Sequence, residues 1–134
     1  MKHRWLYFLL LVLFSCNNST PSYPKAENAL DAGREFIDAC LKGDFKKAGN
    51  YMISDAENKS HLQKIESEYK NKPVPQQKEF NEASINIGDV QEINDSTTII
   101  SYNNSYDKIA RKLKVIRREN NWLVDFKYTF SGNL

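Results

Sequence analysis

The sequence predicts an α+β fold, with N-terminal helices packed on a curved antiparallel sheet of about four strands. Three observations carry that reading. Apolar residues recur with a period near 3.6 between residues 26 and 71. The period falls to 2 after the break at Lys72-Pro73-Val74-Pro75. The chain then closes on the alternation Trp122, Val124, Phe126, Tyr128, Phe130.

Residues 1–15 stand apart from this pattern. Lys2 and Arg4 give a basic start, Trp5 to Phe14 form an unbroken apolar run, and the chain turns polar at Asn17. The run has half the roughly 20 apolar residues that a spanning helix needs, so it reads as an export signal with a cleavage point. Leu13-Phe14-Ser15-Cys16 resembles a bacterial lipoprotein box, with Phe14 bulkier than the usual occupant. The resemblance implies cleavage before Cys16 and a thioether-linked diacylglycerol on it, which would make the lipid bilayer a partner. Two or more acyl chains hold durably, at about 0.8 kcal/mol per buried methylene. Ordinary secretion with a spare Cys16 thiol, or an uncleaved anchor, are the other readings. Residues 16–24 then form a polar, proline-containing tether, and 25–134 one α+β domain. Some lipoproteins of the resembled class carry an acidic surface-export tag just after the cysteine; none follows Cys16, so what the resemblance implies is an outer membrane and its periplasmic face.

Each element has its own signal. In 26–42, Ala29, Ala32, Phe36 and Cys40 share a side that Leu30, Ile37 and Leu41 widen, and Gly43 stops the helix. Cys40 on that side reads as a small core hydrophobe. Asp44 caps a short helix from Phe45 to about Met52, and Ser54 or Asp55 caps a third to about Asn71. The third helix packs by a stripe of Leu62, Ile65 and Tyr69, leaving a solvated polar face. Strands are expected over 79–93, with a bulge or bend at Gly88, over Thr97 to Asn103, and over 108–118 with Leu113 and Val115 inward. Glu119-Asn120-Asn121 makes a tight hairpin into the aromatic last strand. A curled sheet of this kind wraps a helix and leaves a concavity at one end.

Phe36 to Ala48, with its Lys42-Gly43-Asp44-Phe45 centre, resembles the opening of small lipoproteins of the nuclear-transport-factor-2-like superfamily. The closing hairpin from Lys114 to Phe126 is similar to theirs as well. The resemblance spans about residues 28–130 and implies a cone-like, cystatin-like α+β fold. Many such lipoproteins have no assigned activity, and fold alone supplies none. Enzymes of the superfamily place an aspartate with a histidine or tyrosine in the cone's pocket, a set that does not map onto this chain.

The chemistry is therefore read residue by residue. Lys2 and Arg4 belong to the signal, so of 19 basic residues 17 remain, against 17 acidic ones. That balance excludes nucleic acid as an expected partner, since phosphate binding needs concentrated positive charge. The chain has two cysteines, so an acylated Cys16 leaves Cys40 without a disulfide partner. No metal or cofactor is expected: one histidine follows Cys16, and no calcium loop, nucleophile elbow or glycine-rich phosphate loop occurs. Three polar side chains are catalytic candidates, each with a plainer reading. His61 reads as an exposed imidazole on a polar helix, Asp107 as a local cap, and Asp125 as facing solvent or a cross-strand lysine. Phe36, Tyr102, Trp122 and Phe126 are the candidate lining of a pocket. The expected function is a membrane-anchored envelope lipoprotein with a non-catalytic domain for a small or peptidic ligand or an envelope protein. The alternative is a small hydrolase or isomerase using the pocket.

Overall fold

The structure, a computed structural model, describes residues 22–132. The lipoprotein signal over 1–15, Cys16 and most of the tether lie outside the described residues. The described chain begins by docking: the Tyr51 hydroxyl donates to the Pro24 carbonyl oxygen at 2.6 Å, and the Tyr23 ring packs on Tyr51.

Four helices come first: α1 (Ala29–Leu41), α2 (Phe45–Asn50), α3 (Ala56–Lys70) and α4 (Val74–Asn81). Their starts follow from side-chain caps that satisfy otherwise unpaired backbone N–H groups. Asn28 accepts from the Asp31 N–H, Asp44 from Lys47 and Asp55 from Asn58. Gly43 ends α1 at φ +71°, where a Cβ would also collide with the Tyr69 ring at 2.5 Å.

The strands are β1 (Ile85–Asn94), β2 (Thr97–Asn104), β3 (Arg111–Arg118) and β4 (Asn121–Asp125), followed by a 3-10 helix, Phe126–Phe130. They form one antiparallel sheet in the order β1-β2-β3-β4. Glu119 and Asn120 take φ 49° and 63°, the positive values of a two-residue hairpin turn. The ladder of β1 slips between Ile87 and Val90, at Gly88. Helix α1 lies against the sheet. Its Ala32, Phe36 and Ile37 are buried with Ile100, Leu113, Val115 and Val124. Gly33 permits the close approach, because a Cβ there would lie 2.7 Å from the Ile100 side chain.

The class is α+β, with helices first and a four-stranded antiparallel sheet second, but the expected curved, cone-like sheet is corrected. The sheet is an open meander, neither curled nor closed. Wrapping requires a long last strand, and β4 has only five residues. The expected strand to Phe130 ends at Asp125, where the chain turns into the 3-10 helix. Two hydrogen bonds draw it inward: Lys127 N–H donates to Asn58 Oδ1 at 2.7 Å, and the Thr129 hydroxyl to the Lys112 carbonyl at 2.8 Å. The outer edge of β4 is covered by residues 51–53, through Ile53 N–H to Val124 O and Val124 N–H to Tyr51 O. At the other edge, β1 from Gly88 onward is exposed.

A second correction concerns 79–84, which was expected to open the first strand. Pro73 and Pro75 end α3 but also start α4, since proline is tolerated in a first helical turn. Gln77 Nε2 then donates to the Tyr69 and Lys72 carbonyls, capping the end of α3. No residue of α4 is buried, so the sequence carries no periodic signal there.

Candidate functional site

A cavity of about 340 Å³ opens beneath α1 and α3 at the end of the sheet. Helix α1 contributes Phe36, Ile37, Cys40 and Leu41, and α3 contributes Ile65 and Tyr69. Phe80 comes from α4, Tyr102 from β2, and Phe126 and Phe130 from the 3-10 helix. The rings brace one another edge to face. Phe36 meets Phe126 at 4.8 Å between centroids, Phe126 meets Phe130 at 5.0 Å, and Phe80 meets Tyr106 at 4.6 Å. At the rim, Lys72 Nζ lies 5.1 Å from the Phe80 centroid.

One charged pair faces this wall. Asn104 Oδ1 accepts from the backbone N–H groups of Tyr106 and Asp107, forming the tight turn after β2. That turn presents Asp107 to Arg111, which binds it with both terminal nitrogens at 3.0 and 2.7 Å. Arg111 Nη1 also donates to the Ile109 carbonyl. The Arg111 guanidinium holds the Asp107 carboxyl below the usual carboxylate range, aided by the Ile109 N–H. Burial pushes the Tyr102 hydroxyl up, and pushes the Cys40 thiol to about 12, far from the thiolate a nucleophile needs. Tyr102 and Arg111 also border a shallower depression beside Gly88 on β1.

Phe36, Tyr102 and Phe126 meet at the cavity. Trp122 does not: it lines a separate hollow with Tyr23 and Tyr51, under the Arg117 guanidinium. The three polar candidates are not brought together. Only Asp107 lines the cavity. His61 is half-buried rather than exposed, its ring stacked on Phe130 at 4.3 Å. Asp125 is buried rather than facing solvent, and accepts from Asn58 Nδ2 and Lys127 Nζ. Lys127, which strand alternation places outward, is therefore tied to both Asp125 and Asp55. Among the described residues no group of three His, Cys, Asp or Glu side chains could hold a metal, and no helix is long and apolar enough to cross a membrane.

No family model and no curated protein matches the chain. A solved structure does: an NTF-2 like protein of unknown function from Shewanella oneidensis MR-1, at TM-score 0.53 and 9% identity. The match covers 71% of this chain and 89% of that one. The chain has an NTF-2 like fold. At that identity the likeness concerns the fold alone.

Residues missed by sequence reasoning complete the cavity: Phe80, Tyr106 and Arg111. The only local signal is the spacing of Asp107 and Arg111, four residues apart across the turn that leads into β3.

The depressed Asp107 acid makes a pH prediction. Its contribution to stability is full above the unfolded carboxylate pKa, about 3.9, and is lost as pH falls through the lower folded value. Asp55 shifts in the same direction, through the Asn58 N–H and Lys127. Urea midpoints of the wild type and Asp107→Asn should therefore differ at neutral pH and converge on acidification below about pH 4. A gap independent of pH would mean that the ion pair adds nothing.

Proposed function

We propose that the chain is an envelope lipoprotein, anchored through acylated Cys16, whose NTF-2 like domain is a non-catalytic binding module for a small or peptidic ligand. The single observation that carries the binding role is the aromatic cavity, where Glu68 and Asp107 are the lining carboxylates and Asp107 is already spent on Arg111. Its volume lies at the small end of the range of about 300–1,000 Å³ common for ligand pockets, and its walls are mostly apolar. General acid–base catalysis needs a group free to exchange a proton with substrate at a suitable pKa. Asp107 is held ionised, and His61 and Asp125 lie off the cavity. This favours binding over the hydrolase or isomerase alternative.

The anchor rests on the sequence: basic Lys2 and Arg4, the apolar run, then Ser15-Cys16. It places the domain at a bacterial envelope membrane, with the outer membrane's periplasmic face as the proposed site. Intact-mass analysis of membrane-extracted protein should show residues 1–15 removed and acyl mass on Cys16. A soluble mature form without acyl mass would overturn the anchor.

The cavity is tested with 2-ethylnaphthalene, titrated calorimetrically into the full chain in lipid nanodiscs, with empty nanodiscs as the blank. Ile65→Trp fills the space from α3 and should cut the affinity at least tenfold while the fold persists, because overpacking costs about 1–3 kcal/mol. Equal affinity in the variant would place the probe elsewhere.

A further inference from the structure

Tyr102 carries the inference. The residue is only 8% exposed, yet its hydroxyl has no hydrogen-bond partner among the described residues. The oxygen is not sealed off, because no fully buried side-chain polar atom among the described residues lacks a partner. The residue lines the cavity, and its hydroxyl interacts electrostatically with Arg111, Cys40 and Asp107, which line it too. Tyr102 borders both this cavity and the depression beside Gly88, so its O–H is an open donor beside mainly apolar walls.

The charges around it are self-balanced. Arg111 is engaged by both Asp107 oxygens and the Ile109 carbonyl. Glu68 and Lys72, also lining the cavity, add one charge of each sign. An anionic ligand would have to displace Asp107 from Arg111 or turn to Lys72, which lies over the Phe80 ring, and in either place it would enter beside the carboxylates of Asp107 and Glu68. A neutral acceptor has no such cost.

We propose that the cavity selects uncharged, mainly apolar molecules that carry one hydrogen-bond acceptor, such as a ketone, ester or amide carbonyl, which the Tyr102 hydroxyl receives. The inference rests on the binding role proposed above and specifies its ligand class. Burial keeps the hydroxyl protonated, so it remains a donor across the ordinary pH range.

Three matched probes test it in the nanodisc-held full chain: 2-acetonaphthone, 2-ethylnaphthalene and 2-naphthoate. The ketone should bind about 3–10-fold more tightly than the hydrocarbon, the range of one net hydrogen bond. The carboxylate should bind weakest of the three. Tyr102→Phe removes only an unpartnered hydroxyl, so its urea midpoint should match or exceed that of the wild type. In that variant the ketone's advantage should vanish while the hydrocarbon's affinity stays. Equal affinities for ketone and hydrocarbon, or tightest binding of the carboxylate, would overturn the ligand class and leave the cavity's binding role standing. Failure of all three to bind the wild type would overturn both.

Discussion

Phe126→Ala should lower the unfolding free energy by about 3–5 kcal/mol, the cost of truncating a buried phenylalanine. Phe126 is 3% exposed and is the first residue of the 3-10 helix. Its ring meets Phe36 of α1 and Phe130 edge to face, so both apolar burial and ring geometry are lost together. Native domains have about 5–15 kcal/mol in all, so this loss is about a fifth or more of typical stability. Tyr128→Ala serves as the comparison. Tyr128 is half-buried, near Lys114, and its loss should cost about 1 kcal/mol or less. A continuous strand from Trp122 to Phe130 would put both rings on one face, and the two substitutions would then cost alike. Urea denaturation followed by circular dichroism distinguishes the two geometries.

Asn58→Ala should cost about 2–4 kcal/mol, although asparagine on a polar helix ordinarily tolerates substitution. Asn58 is fully buried in the first turn of α3. Its Nδ2 donates to Asp55 and, at 3.0 Å, to Asp125, while its Oδ1 accepts the Lys127 N–H. Truncation leaves that N–H and part of a buried carboxylate without partners, and each such loss carries a desolvation cost. The Lys127 amide should then exchange its hydrogen faster, by local opening of the 3-10 helix. A urea midpoint unchanged from the wild type, with unchanged exchange at Lys127, would mean that the side-chain network does not hold this junction.

The helices were legible because their signals are local. Asp44 and Asp55 cap within three residues of themselves, and Gly43 meets a positive φ at the helix end. The Glu119-Asn120 turn and the inward Leu113 and Val115 were legible for the same reason. Helix α4 was not, because none of its residues is fully buried and it begins on two prolines that equally well mark a break. Asp125 misled because alternation is a rule for continued strands, and the strand stops at that residue. His61 was read from its polar helical neighbours, whereas its stacking partner Phe130 is brought there by the 3-10 helix.

The candidate site divides in the same way. Phe36, Tyr102 and Phe126 were nominated from inward positions on their own elements, and they do converge at one cavity. Trp122 satisfied the same alternation but lies beyond the hairpin turn, beside Arg117 and the incoming Tyr23. Phe80 comes from α4, Tyr106 from the segment between β2 and β3, and Arg111 from the first position of β3, where no apolar periodicity selects them.

By itself the sequence determined the α+β order, helix α1 with its stop at Gly43, the capped helices α2 and α3, the hairpin from β3 to β4, and the Leu13 to Cys16 box on which the anchor proposal rests. Tertiary structure alone decided that the sheet stays open, that the chain leaves it at Asp125, and that an aromatic cavity forms beside a Tyr102 hydroxyl with no partner among the described residues. The physical reason is range. Caps and turns are settled by hydrogen bonds across two to four residues, which a local pattern records. The turn away from the sheet depends on bonds from Asn58 to Asp125 and Lys127, 67 and 69 residues apart in the chain. No local pattern encodes a partner that only folding brings into reach.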